Sequence, residues 1–380
     1  VASQGEVVVS FDRMNKILDF SPQDRVVTCQ PGVITAQLQD FARQQGLFYP
    51  VDFASSGSSQ IGGNVSTNAG GIKVIRYGLT RDWIAGLKVV TGTGALLDCN
   101  AGLVKNATGY DFRHLLIGSE GTLGLLAEID VQLTAAPEPQ TVMVLGVPRV
   151  GDLLSILEAF NARLQPSAFE FFSDVALEKV RAHRDLPAPL ARPEAFYALV
   201  EFDASANEAA EVAFVACMES GWVSDGVVSQ SEAQAAALWQ LREGISEAIA
   251  PYTPYKNDLS VRISDVPEFL DDVDAYVAKS FPDFEVCWYG HIGDGNLHVN
   301  ILKPDSMDKD TFLATCHRND PQLFQLIKDF SGSVSAEHGI GLLKKSALPY
   351  SRSRVELQYF KKLKEIFDPS QVLNPGKILD

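Results

Sequence analysis

The segment Gly290-His291-Ile292-Gly293-Asp294-Gly295-Asn296-Leu297-His298 sets two histidines on either side of a glycine-rich turn. Strand-like composition on both flanks makes it a hairpin, which brings His291 and His298 to one end of a sheet. A third group, Glu337-His338, lies in Ser335-Ala336-Glu337-His338-Gly339. Two imidazoles and one carboxylate form a common donor set for a catalytic divalent metal with open positions. Neighbouring residues seldom both ligate one ion, so with Glu337 on a metal, His338 is left as a base. Hydrogen-bonded turn histidines give the same spacing, and the histidine pair alone does not separate the two readings. His114, His183 and His317 have no comparable setting and read as structural.

Arg242 and Ser246 fall four apart in a predicted helix over 232–249, hence on one face, and Lys256 follows in Tyr255-Lys256-Asn257-Asp258. Helix-surface ion pairs explain such residues as readily as a site does. As a set they form the local cationic patch that an acidic protein needs to hold a carboxylate substrate.

The elements that position these groups fall into three stretches. Strands are predicted over 7–10, 17–20, 25–30 and 123–133, with a hairpin of 87–91 and 95–99 about Gly92-Thr93-Gly94. A helix follows Pro31-Gly32, with Thr35 as N-cap and Leu38, Phe41 and Ala42 facing inward. After Pro137 strands alternate with helices: 142–147, 153–164, 168–172, 175–182, 196–202, 207–220, 222–229 and 232–249. The last stretch, from about 332, carries the Glu337-His338 loop and a helix near 355–367. This is an α+β layout.

The 380 residues are 46% hydrophobic and 21% charged, which is globular rather than disordered composition. A net charge of −16 opposes phosphate backbones, so nucleic acid is not an expected partner. No apolar run is long enough for a membrane-spanning helix. Five widely spaced cysteines without a C-x-x-C pair do not form a disulfide framework, and they favour the cytoplasm, with the mitochondrial matrix as alternative. The opening Val1-Ala2-Ser3-Gln4-Gly5 has neither an initiator Met nor a leader pattern, and the expectation is a longer natural chain.

Residues 57–78 hold Gly57, Gly62, Gly63, Gly70, Gly71 and Gly78, interleaved with Ser58, Asn64, Thr67 and Asn68. Such a run suits either tight turns or the close approach of backbone N–H groups to a ligand. Gly118-Ser119-Glu120-Gly121-Thr122-Leu123-Gly124 has the same character but opens a strand, and its spacing is not G-x-G-x-x-G. No G-x-x-x-x-G-K-[ST] occurs, so a nicotinamide-type Rossmann domain and a P-loop are both disfavoured.

These motifs carry a resemblance. Pro50-Val51-Asp52, Ile61-Gly62-Gly63-Asn64, Thr67-Asn68-Ala69-Gly70-Gly71, Arg76-Tyr77-Gly78 and 118–124 resemble the flavin-binding segments of the FAD-linked oxidase superfamily, of the vanillyl-alcohol oxidase and p-cresol methylhydroxylase (PCMH) type. The segments 290–298, 335–341 and Leu373-Asn374-Pro375 resemble its 2-hydroxy-acid dehydrogenase branch, whose substrates include D-2-hydroxyglutarate, D-lactate and glycolate. The resemblance implies a PCMH-type FAD-binding domain over 1–140 and a ferredoxin-like α+β substrate domain over 141–331. It also implies a C-terminal segment, 332–380, that returns to the flavin.

Carried over by position, it puts non-covalent FAD against Pro50, Asp52, Gly57, Ser58, Ile61, Gly62, Gly63, Asn64, Thr67, Asn68, Gly70, Gly71, Tyr77, Gly78, Gly118, Glu120, Gly121, Gly124, Ile129 and Asn374. It puts a divalent metal, often zinc, on His291, His298 and Glu337, and makes His338 the base. Arg242, Ser246 and Lys256 would hold a substrate carboxylate, with Asn300 near the substrate; the middle position is often Thr in the family. The implied acceptor is an electron-transfer flavoprotein or a quinone, and a homodimer is a candidate assembly. The family's usual preceding lobe, with its own pyrophosphate-binding glycine loop, has no counterpart in this sequence, so weak FAD retention, or none, is expected. The rival from another class is an inactive fragment that binds metal and carboxylate only.

Overall fold

In the computed structural model, which describes residues 5–379, the strands before residue 140 are β1 (Ile17–Ser21), β2 (Val26–Cys29), β3 (Leu47–Phe48), β4 (Ile84–Val90), β5 (Leu96–Cys99), β6 (Leu125–Gln132) and β7 (Thr134–Ala135). Five of them form an antiparallel sheet in the order β1-β2-β6-β4-β5, and β3 and β7 pair as a ribbon. Alternation decides the sheet's inner face: Val27, Cys29, Leu87, Val89, Ile129 and Val131 are buried beneath the helix Thr35–Gln44 and the short helix Ile61–Thr67. The β4–β5 hairpin turns at Gly92-Thr93-Gly94 as the sequence predicts, with Gly94 at φ +80°.

Two local expectations fail. Residues 7–10 form no strand: Val7, Val8 and Val9 are exposed. Thr35 is not the N-cap. Ile34 takes that position, and Thr35, fully buried, sets its hydroxyl 2.8 Å from Ser59 Oγ, a tertiary bond that outcompetes the local cap. Residues 1–4 and 380, where the outer expected boundaries fall, lie outside the described residues.

The second sheet is built from β8 (Gln140–Val147), β9 (Ala168–Ser173), β10 (Phe196–Asp203), β11 (Asp225–Val228), β12 (Tyr255–Ser260), β13 (Val286–His291) and β14 (Asn296–Ile301). Its order is β11-β8-β10-β9-β13-β14-β12, antiparallel throughout. Met143, Leu145, Phe169 and Phe171 point to one apolar layer, and Val142, Val144, Ala168 and Phe172 to another. The first layer is closed by the helices Leu153–Asn161, Asn207–Glu219, Val266–Ser280 and Lys309–Asp329, the second by Asp174–Arg184 and Glu232–Glu243. Covering both faces is why these strands read as continuous apolar runs.

The helix predicted over 232–249 is interrupted at Gly244, after Glu232–Glu243, and resumes as Ile245–Ala248. A Cβ at Gly244 would stand 3.1 Å from Val180 Cγ1, so the glycine admits the neighbouring helix. The strand predicted over 222–229 shortens to Asp225–Val228. No helix among the described residues is long and apolar enough to cross a membrane.

Two ion pairs fasten the sheets' layers together. From the short helix Val74–Tyr77 and its N-cap, Arg76 meets Asp203 with two bonds of 2.8 Å, and Lys73 lies 3.0 Å from Glu201. The C-terminal stretch then spans both layers: Ser333 bridges to Ser260 at the end of β12, and the helix Arg354–Phe367 buries Phe367 in the first core.

Candidate active site

The alternation of β9, β12, β13 and β14 puts Glu170, Lys256, Asp258, Tyr289, His291, His298 and Asn300 on a single face of the second sheet. Cross-strand pairs Tyr289–His298, Asp258–His298 and Lys256–Asn300 fix their order. The hairpin turns through residues 292–294 and Gly295, at φ +80°, where a Cβ would stand 2.2 Å from Val261 O. His291 and His298 thus end with ring centroids 5.5 Å apart.

Glu337 reaches them from the loop after Ser333, its Oε1 3.2 Å from His291 Nε2. One donor atom from each of His291, His298 and Glu337 lies within 4.8 Å of the other two. The other ring nitrogen of His291 is 2.7 Å from Glu170 Oε1, a buried carboxylate that turns Nε2 toward Glu337. This is the arrangement that orients a metal-binding imidazole. Burial opposes a charge on His291, but Glu170 and Glu337 outweigh it and push the pKa up to about 10. His298 goes the other way: burial, with His291 and Arg242 nearby, pushes it to about 3 and leaves a neutral donor. Glu337 stays below the usual carboxylate range despite burial, because both histidines favour its charge. A divalent cation would satisfy the same surplus of negative charge, so the donor set fits a metal.

His338 lines the cleft with its side chain 60% exposed, Nδ1 3.2 Å from Asp258 Oδ2 and Nε2 4.0 Å from Glu337 Oε2. Asp258 is buried. Its Oδ2 accepts the N–H of Glu337 at 3.0 Å and of His338 at 3.2 Å, and its Oδ1 accepts from Asn296 Nδ2 at 2.9 Å. Burial alone would raise its pKa, but His298, His338 and the Glu337 N–H hold the carboxyl below its ordinary value.

The same cavity, about 510 Å³, is lined by Arg242, Ser246, Lys256 and Asn300. Arg242 sits 4.7 Å above the Tyr289 ring, and its Nη2 is 2.8 Å from Glu170 Oε2. Two of its nitrogens, Nε and Nη2, are buried without a well-directed hydrogen bond. Lys256 Nζ donates to Ser246 Oγ at 2.9 Å, and burial lowers its pKa. Arg242 and Ser246 reach one cavity although the helix between them breaks.

The first domain supplies the opposite wall, including Asn64, Thr67, Gly70 and Gly71 among the expected cofactor residues. The remaining expected residues are placed elsewhere. Pro50, Ile61 and Ile129 are buried, and Asp52 accepts from Gln39. Gly57 and Ser58 are exposed, Gly63 faces open space, and Asn68 accepts the N–H of Arg81. Tyr77 packs on Phe48, while Gly62, Gly78 and Gly124 are set close against Pro31, Asp82 and Val89. Gly118 and Gly121 have left-handed backbone, Gly121 beside Asn374. Glu120 spends its carboxylate on the N–H groups of Ile340 (2.7 Å) and Gly341 (2.8 Å), and Asn374 Nδ2 donates to its carbonyl at 2.6 Å. Glu120 therefore anchors the loop that carries Glu337 and His338.

Glu170, Asp258 and Tyr289 have no motif spacing of their own. The signal available for Glu170 is a charge inside Ala168-Phe169-Glu170-Phe171-Phe172, a strand with no solvent face.

The chain matches the family model described as FAD linked oxidases, C-terminal domain, over residues 136–378, and the FAD binding domain model over 1–100. The D-2-hydroxyglutarate dehydrogenase of Stutzerimonas stutzeri is 57% identical over 381 residues, covering 100% of this chain and 82% of that protein. The mitochondrial D-2-hydroxyglutarate dehydrogenase of Bos taurus is 36% identical over 383 residues, covering 98% and 69%. Among solved structures, p-cresol methylhydroxylase with substrate bound superposes with a TM-score of 0.69 at 13% identity, covering 97% of this chain and 79% of that one. An alkyldihydroxyacetonephosphate synthase gives 0.67 at 18% identity, covering 96% and 67%. At these identities the two structures share the fold.

Proposed function

The chain belongs to the FAD-linked oxidases, and from that premise we propose that it is an FAD-dependent dehydrogenase oxidising a D-2-hydroxy acid, D-2-hydroxyglutarate first, to the 2-oxo acid. The observation that carries the substrate choice is Arg242: a buried guanidinium with two nitrogens lacking well-directed hydrogen bonds, in the cavity that His338 and the His291–His298–Glu337 set also line.

When bound, FAD supplies a hydride acceptor and a divalent metal on His291, His298 and Glu337, zinc for preference, supplies a Lewis acid that lowers the pKa of the substrate hydroxyl. Arg242, Ser246 and Lys256 hold the distal carboxylate and so orient Cα. Asn300, across from Lys256, borders the same space. His338, on the cleft side of Asp258, takes the hydroxyl proton. The wall of Asn64, Thr67, Gly70 and Gly71 presents the flavin side of the cavity.

D-lactate or glycolate lacks the second carboxylate and would leave Arg242 without that partner, at a cost of about 1.5–3 kcal/mol for a charged hydrogen bond. Reoxidation by an electron-transfer flavoprotein or a quinone would complete the cycle. Five buried, unpaired cysteines suit a reducing compartment, cytoplasm or mitochondrial matrix.

The test is the visible spectrum of the chain reconstituted with FAD and zinc, taken before and after anaerobic addition of substrate. Bleaching of the flavin band by D-2-hydroxyglutarate at concentrations where D-lactate leaves it unchanged is the expected result. Equal bleaching by both would overturn the dicarboxylate assignment. Binding of metal and hydroxy acid without bleaching would favour the inactive-binder alternative.

A further inference from the structure

We propose that Asp258 is a positioning residue for proton removal: it selects the tautomer of His338 that carries its proton on Nδ1, so that the lone pair on Nε2 is available to the substrate. The inference rests on the reading of His338 as the base. Asp258 is 2% exposed and its Oδ2 lies 3.2 Å from His338 Nδ1. An ionised carboxylate can only accept, so of the two ring nitrogens the nearer one, Nδ1 at 3.2 Å from Asp258 against Nε2 at 4.0 Å from Glu337, is favoured as N–H. A neutral imidazole has one donor and one acceptor nitrogen; fixing Nδ1–H makes Nε2 the acceptor. The opposite tautomer would set the Nδ1 lone pair against the carboxylate and leave Nε2 unable to take a proton.

The same oxygen also accepts the backbone N–H groups of Glu337 and His338, at 3.0 and 3.2 Å. Those bonds fix the main chain from which the ring hangs. Asn296 Nδ2 occupies the other oxygen at 2.9 Å, and Leu259 O accepts from that same amide at 2.8 Å. The carboxylate therefore cannot rotate freely, and its direction toward His338 is set by the sheet.

The deciding measurement is the long-range ¹H–¹⁵N histidine spectrum of the wild-type chain at pH 8, with His338→Gln used to identify the signal. An Nδ1–H pattern for His338 is expected, and an Nε2–H pattern overturns the proposal whether or not any Asp258 variant folds. In Asp258→Asn, kcat for D-2-hydroxyglutarate per bound zinc should fall by about 10²-fold or more, with KM close to wild type. A kcat that stays within threefold of wild type, or that falls only in proportion to lost zinc, also overturns it. Wild-type protein that binds FAD and zinc but turns over no hydroxy acid would fault the functional reading instead, and the tautomer would still decide the role of Asp258.

Discussion

Glu170 holds Arg242 Nη2 at 2.8 Å, and both side chains are almost completely buried. The other oxygen of the same carboxylate is 2.7 Å from His291 Nδ1. One carboxylate thus joins the group proposed for the substrate's far end to a donor proposed for the metal, and gives each a partner inside a site where an unpaired charge would be costly.

Glu170→Gln keeps the shape and removes the charge. Zinc affinity, measured by competition with a chromophoric chelator, should fall by about 10- to 100-fold. Affinity within twofold of wild type would show that His291 is oriented by the sheet alone.

Arg242→Ala removes the guanidinium from above Tyr289. KM for D-2-hydroxyglutarate should rise by about 10- to 100-fold, the equivalent of about 1.5–3 kcal/mol. KM for D-lactate should change less than threefold. Steady-state kinetics on both substrates checks it, and equal effects would remove the case for a dicarboxylate.

Asp294 sits in the β13–β14 turn, where burial pushes its carboxyl from 3.8 up to about 7. Because the folded pKa is raised, the native state keeps a proton that the unfolded chain has lost between about pH 4 and 7. Its contribution to stability is complete below pH 4 and is lost as pH rises through 7. Urea unfolding with EDTA present should therefore show Asp294→Asn gaining on wild type between pH 5 and 8. A difference between the two proteins that does not vary with pH would contradict the shift.

Arg76 and Asp203 join the two domains through a two-bond pair whose side chains are 20% and 24% exposed. A double-mutant cycle with both changed to Ala should give a coupling of about 1 kcal/mol, weaker in high salt. Coupling near zero at low salt would mean that the Lys73–Glu201 pair and the packing around it hold the interface alone.

Much of the site was legible because its chemistry sits on motifs. The glycine-rich turn between His291 and His298 demands a hairpin, and Glu337-His338 stands out as a carboxylate beside an imidazole. Asp258 and Glu170 are different. Each is one carboxylate in a strand, and its importance arises only when period-two alternation on four strands is superposed. That superposition needs the sheet order β9-β13-β14-β12, which joins segments more than a hundred residues apart. The cofactor segments show the converse. Several of their glycines serve packing: a Cβ at Gly71 would stand 2.0 Å from Asp52 O, and one at Gly124 would stand 2.3 Å from Val89 Cγ1. Sequence alone does not separate that use from approach to a ligand. The helix Val266–Ser280 goes unpredicted, although Val266, Phe269, Leu270, Val273 and Val277 keep a helical period. In Lys309–Asp329 an internal Pro321 masks the pattern.

The short loop that bears Glu337 and His338 is strung between two carboxylates of different parentage. Asp258 of the second domain grips its beginning, and Glu120 of the first grips Ile340 and Gly341. Neither domain owns the loop. A nascent chain or a proteolytic fragment with only one anchor lacks half of the bonds that hold this stretch in place. The dual tether works as an interlock: the placement of Glu337 and His338 depends on both domains being folded side by side.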